Sequence, residues 1–171
     1  MNPNDIPDAE TLCTALLAQL RPAITPDTVL IGVHTGGAWI AEKLHGVLGL
    51  KSPLGFLDIS FYRDDFARVG LNPQVKKSVI PLDIEDASII LVDDVLYTGR
   101  TVRAAMNEIF DYGRPRRIDL AVLADRDGRE LPVAARFVGA HVSLAENQSL
   151  NLARDAAGRL SFALVEKKNA P

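Results

Sequence analysis

Two adjacent carboxylates, Asp93 and Asp94, are followed by Tyr97-Thr98-Gly99-Arg100-Thr101, a turn of hydroxyls, one glycine and one cation. Hydroxyls and unpaired backbone amides bind phosphate, and glycine lets the backbone approach closely. Carboxylates would repel a phosphate. Their chemistry here is to accept hydrogen bonds from sugar hydroxyls or to hold a hard cation such as Mg²⁺. Phosphate at one end and a diol at the other describe a ribose 5-phosphate. An Asp-Asp pair alone is a common polar turn; the specificity lies in the ordered unit.

The flanking elements must position that unit. Ile89-Ile90-Leu91-Val92, apolar and mostly β-branched, reads as a buried strand running directly into Asp93 and Asp94. Beyond the turn, Val102, Ala105, Met106 and Ile109 recur on one face of a helix, which Gly113 and Pro115 end. The unpaired amides of such a helix start carry partial positive charge and bind phosphate. A second strand-to-helix turn, Gly32-Val33-His34-Thr35-Gly36-Gly37-Ala38, offers backbone amides with little side-chain bulk. Taken alone it is an ordinary glycine turn.

The run from Ile89 to Thr101 resembles the phosphoribosyl-pyrophosphate (PRPP) binding motif of the type I phosphoribosyltransferases. VDDVLYTGRTVRAAM, followed by DYGRPRRIDLAVLADRDGRELP, resembles one branch in particular, the bifunctional pyrimidine operon regulators and uracil phosphoribosyltransferases of the PyrR family. The likeness extends from about Leu30 to about Val142. It implies an α/β fold of the type I phosphoribosyltransferases: a mostly parallel central sheet flanked by helices, with a flexible loop and a small hood. It implies transfer of the phosphoribosyl group from PRPP to uracil, giving UMP and pyrophosphate.

Residue roles follow from the resemblance. Val95, Leu96, Tyr97, Thr98, Gly99, Arg100 and Thr101 would bind the ribose 5-phosphate, and His34, Thr35, Gly36 and Gly37 the pyrophosphate. Asp93 and Asp94 would hold the ribose and Mg²⁺, directly or through water. Arg63, in a polar stretch over residues 62–87 read as a long closing loop with Tyr62, Asp64, Asp65, Lys76 and Lys77, would bind the leaving pyrophosphate. Asp93, Asp94 and Arg63 are thus the candidate catalytic residues. Loop closure would keep water from the reactive sugar. The base is expected near Asp125 and Arg126, beyond a strand at 117–124, where open α/β sheets bind ligands. The general base stays open, as does the base itself: a purine-type enzyme is the alternative within the same fold. The family carries a basic residue where Gly36 stands here, which implies weaker pyrophosphate binding.

RNA binding is the other alternative, a regulator with little catalysis. The resemblance assigns RNA contact to Arg129, and Arg114, Arg116, Arg117, Arg126, Arg129 and Arg136 cluster in sequence. Against it, the chain has 19 basic and 22 acidic residues, whereas phosphate contacts dominate nucleic-acid affinity. The histidine of the usual GHRELP is Gly128, the first helix has only Arg21, and a customary basic segment reads Ser143-Leu144-Ala145-Glu146.

The remaining pattern alternates strands and helices. Helices are expected over 8–21 and from the second glycine turn to Leu48, and strands over Val29–Val33, Leu54–Phe61, 117–124 and 136–142. A final hairpin joins Leu150–Ala153 to Leu160–Glu166. With 171 residues and no linker, one domain over 1–171 is expected. The lone Cys13 excludes an intrachain disulfide and reads as a packed thiol. The polar start MNPNDIPDAE and the lack of any long apolar run exclude a signal peptide of ordinary type and a membrane-spanning helix, so the cytoplasm is the expected compartment. The resemblance adds a homo-oligomer, dimer or larger.

Overall fold

Six consecutive buried residues, Thr28–Val33 (β1), place apolar side chains on both faces of a strand, which requires cover on both sides. In the computed structural model of the chain, which describes residues 6–59, 78–80 and 83–166, that cover is present. β1 lies inside a five-stranded parallel sheet with Gly55–Leu57 (β2), Ser88–Leu96 (β3), Arg117–Arg126 (β4) and Phe137–Val142 (β5), in the order β2-β1-β3-β4-β5.

Strand alternation sorts the core into two layers. Leu30, Ile90, Val92, Ala121 and Leu123 face the helices Ala9–Leu20 (α1) and Gly36–Leu48 (α2). Val29, Ile31, Ile89, Leu91 and Val122 face Arg100–Tyr112 (α3), which contributes Val102, Ala105 and Ile109. Truncating a fully buried anchor such as Leu16 of α1 to alanine costs about 2–5 kcal/mol. Cys13 shares that layer, and burial pushes its thiol up to about 11, so it stays protonated and inert. The chain ends in an antiparallel hairpin, Gln148–Arg154 (β6) and Leu160–Glu166 (β7), a separate two-stranded sheet. Leu150 of that hairpin packs on Ala124 and Val142, and Leu160 joins the layer of α1.

Two element boundaries differ from the sequence pattern. β3 does not end at Val92: pairing with β4 continues through Val95↔Ala124 and Leu96↔Asp125, so Asp93 and Asp94 lie within the strand. A ladder needs only backbone groups, and the ten-residue β4 supplies them regardless of side-chain polarity. β2 is shorter than Leu54–Phe61; at Phe56 it also takes an antiparallel bridge from Val79, with backbone bonds of 2.6 and 2.8 Å. Tyr62, Arg63, Asp64, Asp65, Lys76 and Lys77 fall outside the described residues. Among those described, no helix is long and apolar enough to cross a membrane.

Candidate functional site

β1 and β3 are adjacent and parallel, yet the chain leaves β1 toward β2 on one side and meets β3 on the other. Such a reversal opens a crevice at the carboxyl ends of the two strands. Both glycine-bearing turns open there.

The first turn is seated by direct contact. His34 donates its amide to Leu57 O at 2.8 Å, its ring stacks on Phe56, and exposed Thr35 is the N-cap of α2. Gly37 then passes so close to the β3 backbone that no side chain fits, and Gly36 rests against the Asp94 side chain. A Cβ on Gly37 would collide with the Val92 carbonyl, and one on Gly36 would lie 2.6 Å from Asp94 Cγ. The space that a side chain at position 36 would need is filled by the Asp94 carboxylate. That contact joins the proposed pyrophosphate turn to the acidic pair.

The carboxylates do not act as one group. Asp94 lies against Gly36 at the start of α2, whereas Asp93 is buried at 4% exposure. Each curls onto its own strand: Asp93 Oδ1 accepts the Asp94 amide and Asp94 Oδ1 the Val95 amide, both at 3.0 Å. Among the described residues, no three His, Cys, Asp or Glu side chains gather as a metal cage. A divalent cation here would take one carboxylate or two and complete its shell with substrate oxygens, which is the habit of Mg²⁺.

The second turn begins where the sequence pattern put it, after Leu96. Val95 and Leu96 remain in the ladder, and Leu96 is buried in the core. Gly99, with φ 91°, is the N-cap of α3, and the Arg100 amide reaches Thr98 Oγ1 at 3.3 Å. The first turn of α3 holds Arg100, Thr101 and Arg103 with no acidic residue. Cations there oppose the helix dipole, a local cost that an anionic ligand would offset.

On the base side, Asp125 ends its stretch of β4 beside Arg129 and 3.8 Å from His141 Nδ1. Arg126 does not face open space. It is 6% exposed, donates to Gln148 O at 2.7 Å, and lays its guanidinium 4.0 Å from the Tyr97 ring centroid.

A family described as "Phosphoribosyl transferase domain" matches residues 3–148. The "Bifunctional protein PyrR" of Nitrosococcus oceani is 52% identical over 143 residues, covering 82% of this chain and 81% of its own length. That of Pseudomonas entomophila is 45% identical over 170 residues, covering 99% and 95%. The chain belongs to the PyrR branch of the phosphoribosyltransferase family. Its sheet and helices also match a purine phosphoribosyltransferase from Pyrococcus horikoshii, at TM-score 0.60 and 27% identity over 78% of this chain and 82% of that one. A hypoxanthine-guanine phosphoribosyltransferase from Bacillus anthracis matches at TM-score 0.63 over 83% and 86%; at 20% identity that likeness is one of fold alone.

For this phosphoribosyltransferase, the residues that sequence reasoning missed stand behind the second turn. Glu130 and Leu131 donate their amides to Thr98 O at 3.0 and 3.1 Å, Glu130 also pairs with Arg100 at 2.8 Å, and Val133 packs on Gly99. The DGRELP stretch was the available signal. The arginines that cluster in sequence disperse into internal pairs: Arg116 with Asp27, Arg117 and Arg136 both with Asp119, and Arg129 with Asp125. Arg114 turns back onto the end of α3 through Phe110 O and Gly113 O.

Proposed function

We propose that this chain is a uracil phosphoribosyltransferase, transferring the phosphoribosyl group of PRPP to uracil with release of pyrophosphate and formation of UMP. The observation that carries this reading is that two helix N-termini follow the carboxyl ends of the adjacent strands β1 and β3, with Asp94 against Gly36 of the first. One N-terminus suits the 5-phosphate and the other the pyrophosphate. The ribose then spans the gap beside Asp94.

The reaction separates charge as pyrophosphate departs and an oxocarbenium-like sugar develops. Fixed dipoles aimed at the departing oxygens stabilise that state without reorganising. Holding phosphate at α3 and pyrophosphate at α2 fixes the anomeric carbon between them, so the base attacks an oriented centre. Asp94 accepts from ribose hydroxyls; Asp93, being buried, supports the strand end from behind. Mg²⁺ would be held by Asp94 together with substrate oxygens and would neutralise pyrophosphate charge. The base lies toward Asp125, and Arg63 is the proposed loop contact to pyrophosphate. The enzyme works in the cytoplasm as a dimer or larger homo-oligomer.

The deciding experiment incubates the protein with PRPP, Mg²⁺ and a panel of bases and follows pyrophosphate. Turnover with uracil is expected; turnover confined to hypoxanthine or guanine would make this a purine enzyme. A second reading, control of pyrimidine genes through leader RNA, rests on kinship with proteins called bifunctional. The acidic balance of the chain, 19 basic against 22 acidic residues, counts against it. A gel shift on the leader RNA of the organism's own pyrimidine operon, with and without UMP, tests it: uridine-nucleotide-dependent binding at low salt would establish the regulator.

A further inference from the structure

In a trans peptide the carbonyl and the following amide point in opposite directions. A donor that fixes the carbonyl from behind therefore aims the amide forward. This happens twice in succession at the second turn. Arg129 Nη1 donates to Tyr97 O, which directs the Thr98 amide away from the 126–133 segment. Glu130 and Leu131 amides occupy Thr98 O, which directs the Gly99 amide the same way.

Arg129 differs from the two backbone donors in carrying charge. Hydrogen bonds in series polarise one another, so a guanidinium on the Tyr97 carbonyl makes the Thr98 N–H a stronger donor to an anion. Its second arm, Nη2, binds Asp125 Oδ1, so one planar side chain spans the phosphate turn and the base side of β4. The side chain is 26% exposed. The ring of Tyr97 is held as well, with the Arg126 guanidinium on it and Gly128 so close that a Cβ there would overlap Tyr97 Cε2. Gly128, at φ 108°, is both a backbone and a packing requirement of this arrangement.

We propose that Arg129 is a positioning residue for phosphoribosyl transfer, aiming the Thr98 amide at the 5-phosphate and locking that turn to Asp125. The inference rests on the reading of this turn as the 5-phosphate site and assigns Arg129 to it rather than to RNA. Arg129 touches no reacting atom in this role.

The test is calorimetric binding of ribose 5-phosphate, ribose and inorganic pyrophosphate to the full chain, wild type against Arg129→Ala and Arg129→Lys. Losing one charge-assisted contact predicts about tenfold or greater weakening for ribose 5-phosphate in Arg129→Ala. Pyrophosphate affinity and ribose affinity should stay within about twofold. Lysine can reach one acceptor but lacks the fork that spans both, so Arg129→Lys should fall between the two and keeps the test alive if the alanine variant misfolds. Unchanged ribose 5-phosphate affinity in both variants would overturn the proposal, and equal weakening of all three ligands would reduce Arg129 to a general stabiliser. Wild-type binding of ribose 5-phosphate without turnover of uracil would sink the uracil reading and leave this inference standing.

Discussion

The turn at residues 34–37 and the turn at residues 97–99 perform the same local task with opposite construction. Both follow a parallel strand and start a helix. The first is held by absence: Gly37 lets α2 rest on the backbone of β3, and nothing larger fits there. The second is held by presence, with Arg129, Glu130 and Leu131 filling the acceptors behind it. A contact made by missing atoms tolerates no substitution, because any addition moves backbone. A contact made by donors can be weakened one bond at a time. The two turns should therefore fail differently.

The largest effect is expected where the first turn meets the acidic pair. Asp94→Asn keeps shape but removes the charge facing the ribose, and should lower phosphoribosyl transfer by about 100-fold or more, the scale of losing one preorganised electrostatic group. Its melting temperature should stay near wild type; activity within a few-fold would refute the role. Next, Gly37→Ala forces a methyl against the Val92 carbonyl and should cost about 1–3 kcal/mol of stability in a urea titration. A fully stable variant would mean the two elements slide freely past one another. Thr98→Ala, on the other turn, should leave stability alone and weaken ribose 5-phosphate binding by about tenfold, measured by calorimetry.

The smallest effect concerns what anchors the two helices. α2 is tethered through Lys43 to Glu10 of α1, and Glu10 also accepts the Leu160 amide at 2.7 Å. That backbone bond first, and Lys43 second, hold the Glu10 carboxyl below its ordinary value of 4.5. The folded state thus binds the proton less tightly than the unfolded one. The associated stability is fully present above the ordinary value and is lost as pH falls through the lowered one. Thermal melts of wild type and Glu10→Gln should differ at neutral pH and converge on acidification; a constant gap would show that the charge contributes nothing.

How much of this could be read in advance depends on the range of the interaction. α1, α2 and the terminal hairpin announce themselves through local periodicity and turn residues, and each lies within a few residues of its expected span. The length of β3 does not, because β4 decides it through backbone pairing. That extension puts Asp93 and Asp94 inside the strand, where Asp93 is buried and Asp94 meets Gly36. The lock behind Thr98 left no mark in composition, since two of its three donors are main-chain amides. Resemblance assigned Arg129 to RNA, while in the fold its guanidinium binds Tyr97 and Asp125.

The position of α1 carries a consequence for how the chain reaches this state. Its apolar face, Leu12, Leu16 and Leu20, packs with Phe137 and Leu160, Gln19 bonds to Val138 at 2.8 Å, and Glu10 waits for Leu160. These partners lie more than a hundred residues downstream. Contacts of such separation form late because the intervening chain must be ordered before they repay the closure. During synthesis the first helix made keeps part of its greasy side uncovered until the last third of the chain arrives, so it is completed last.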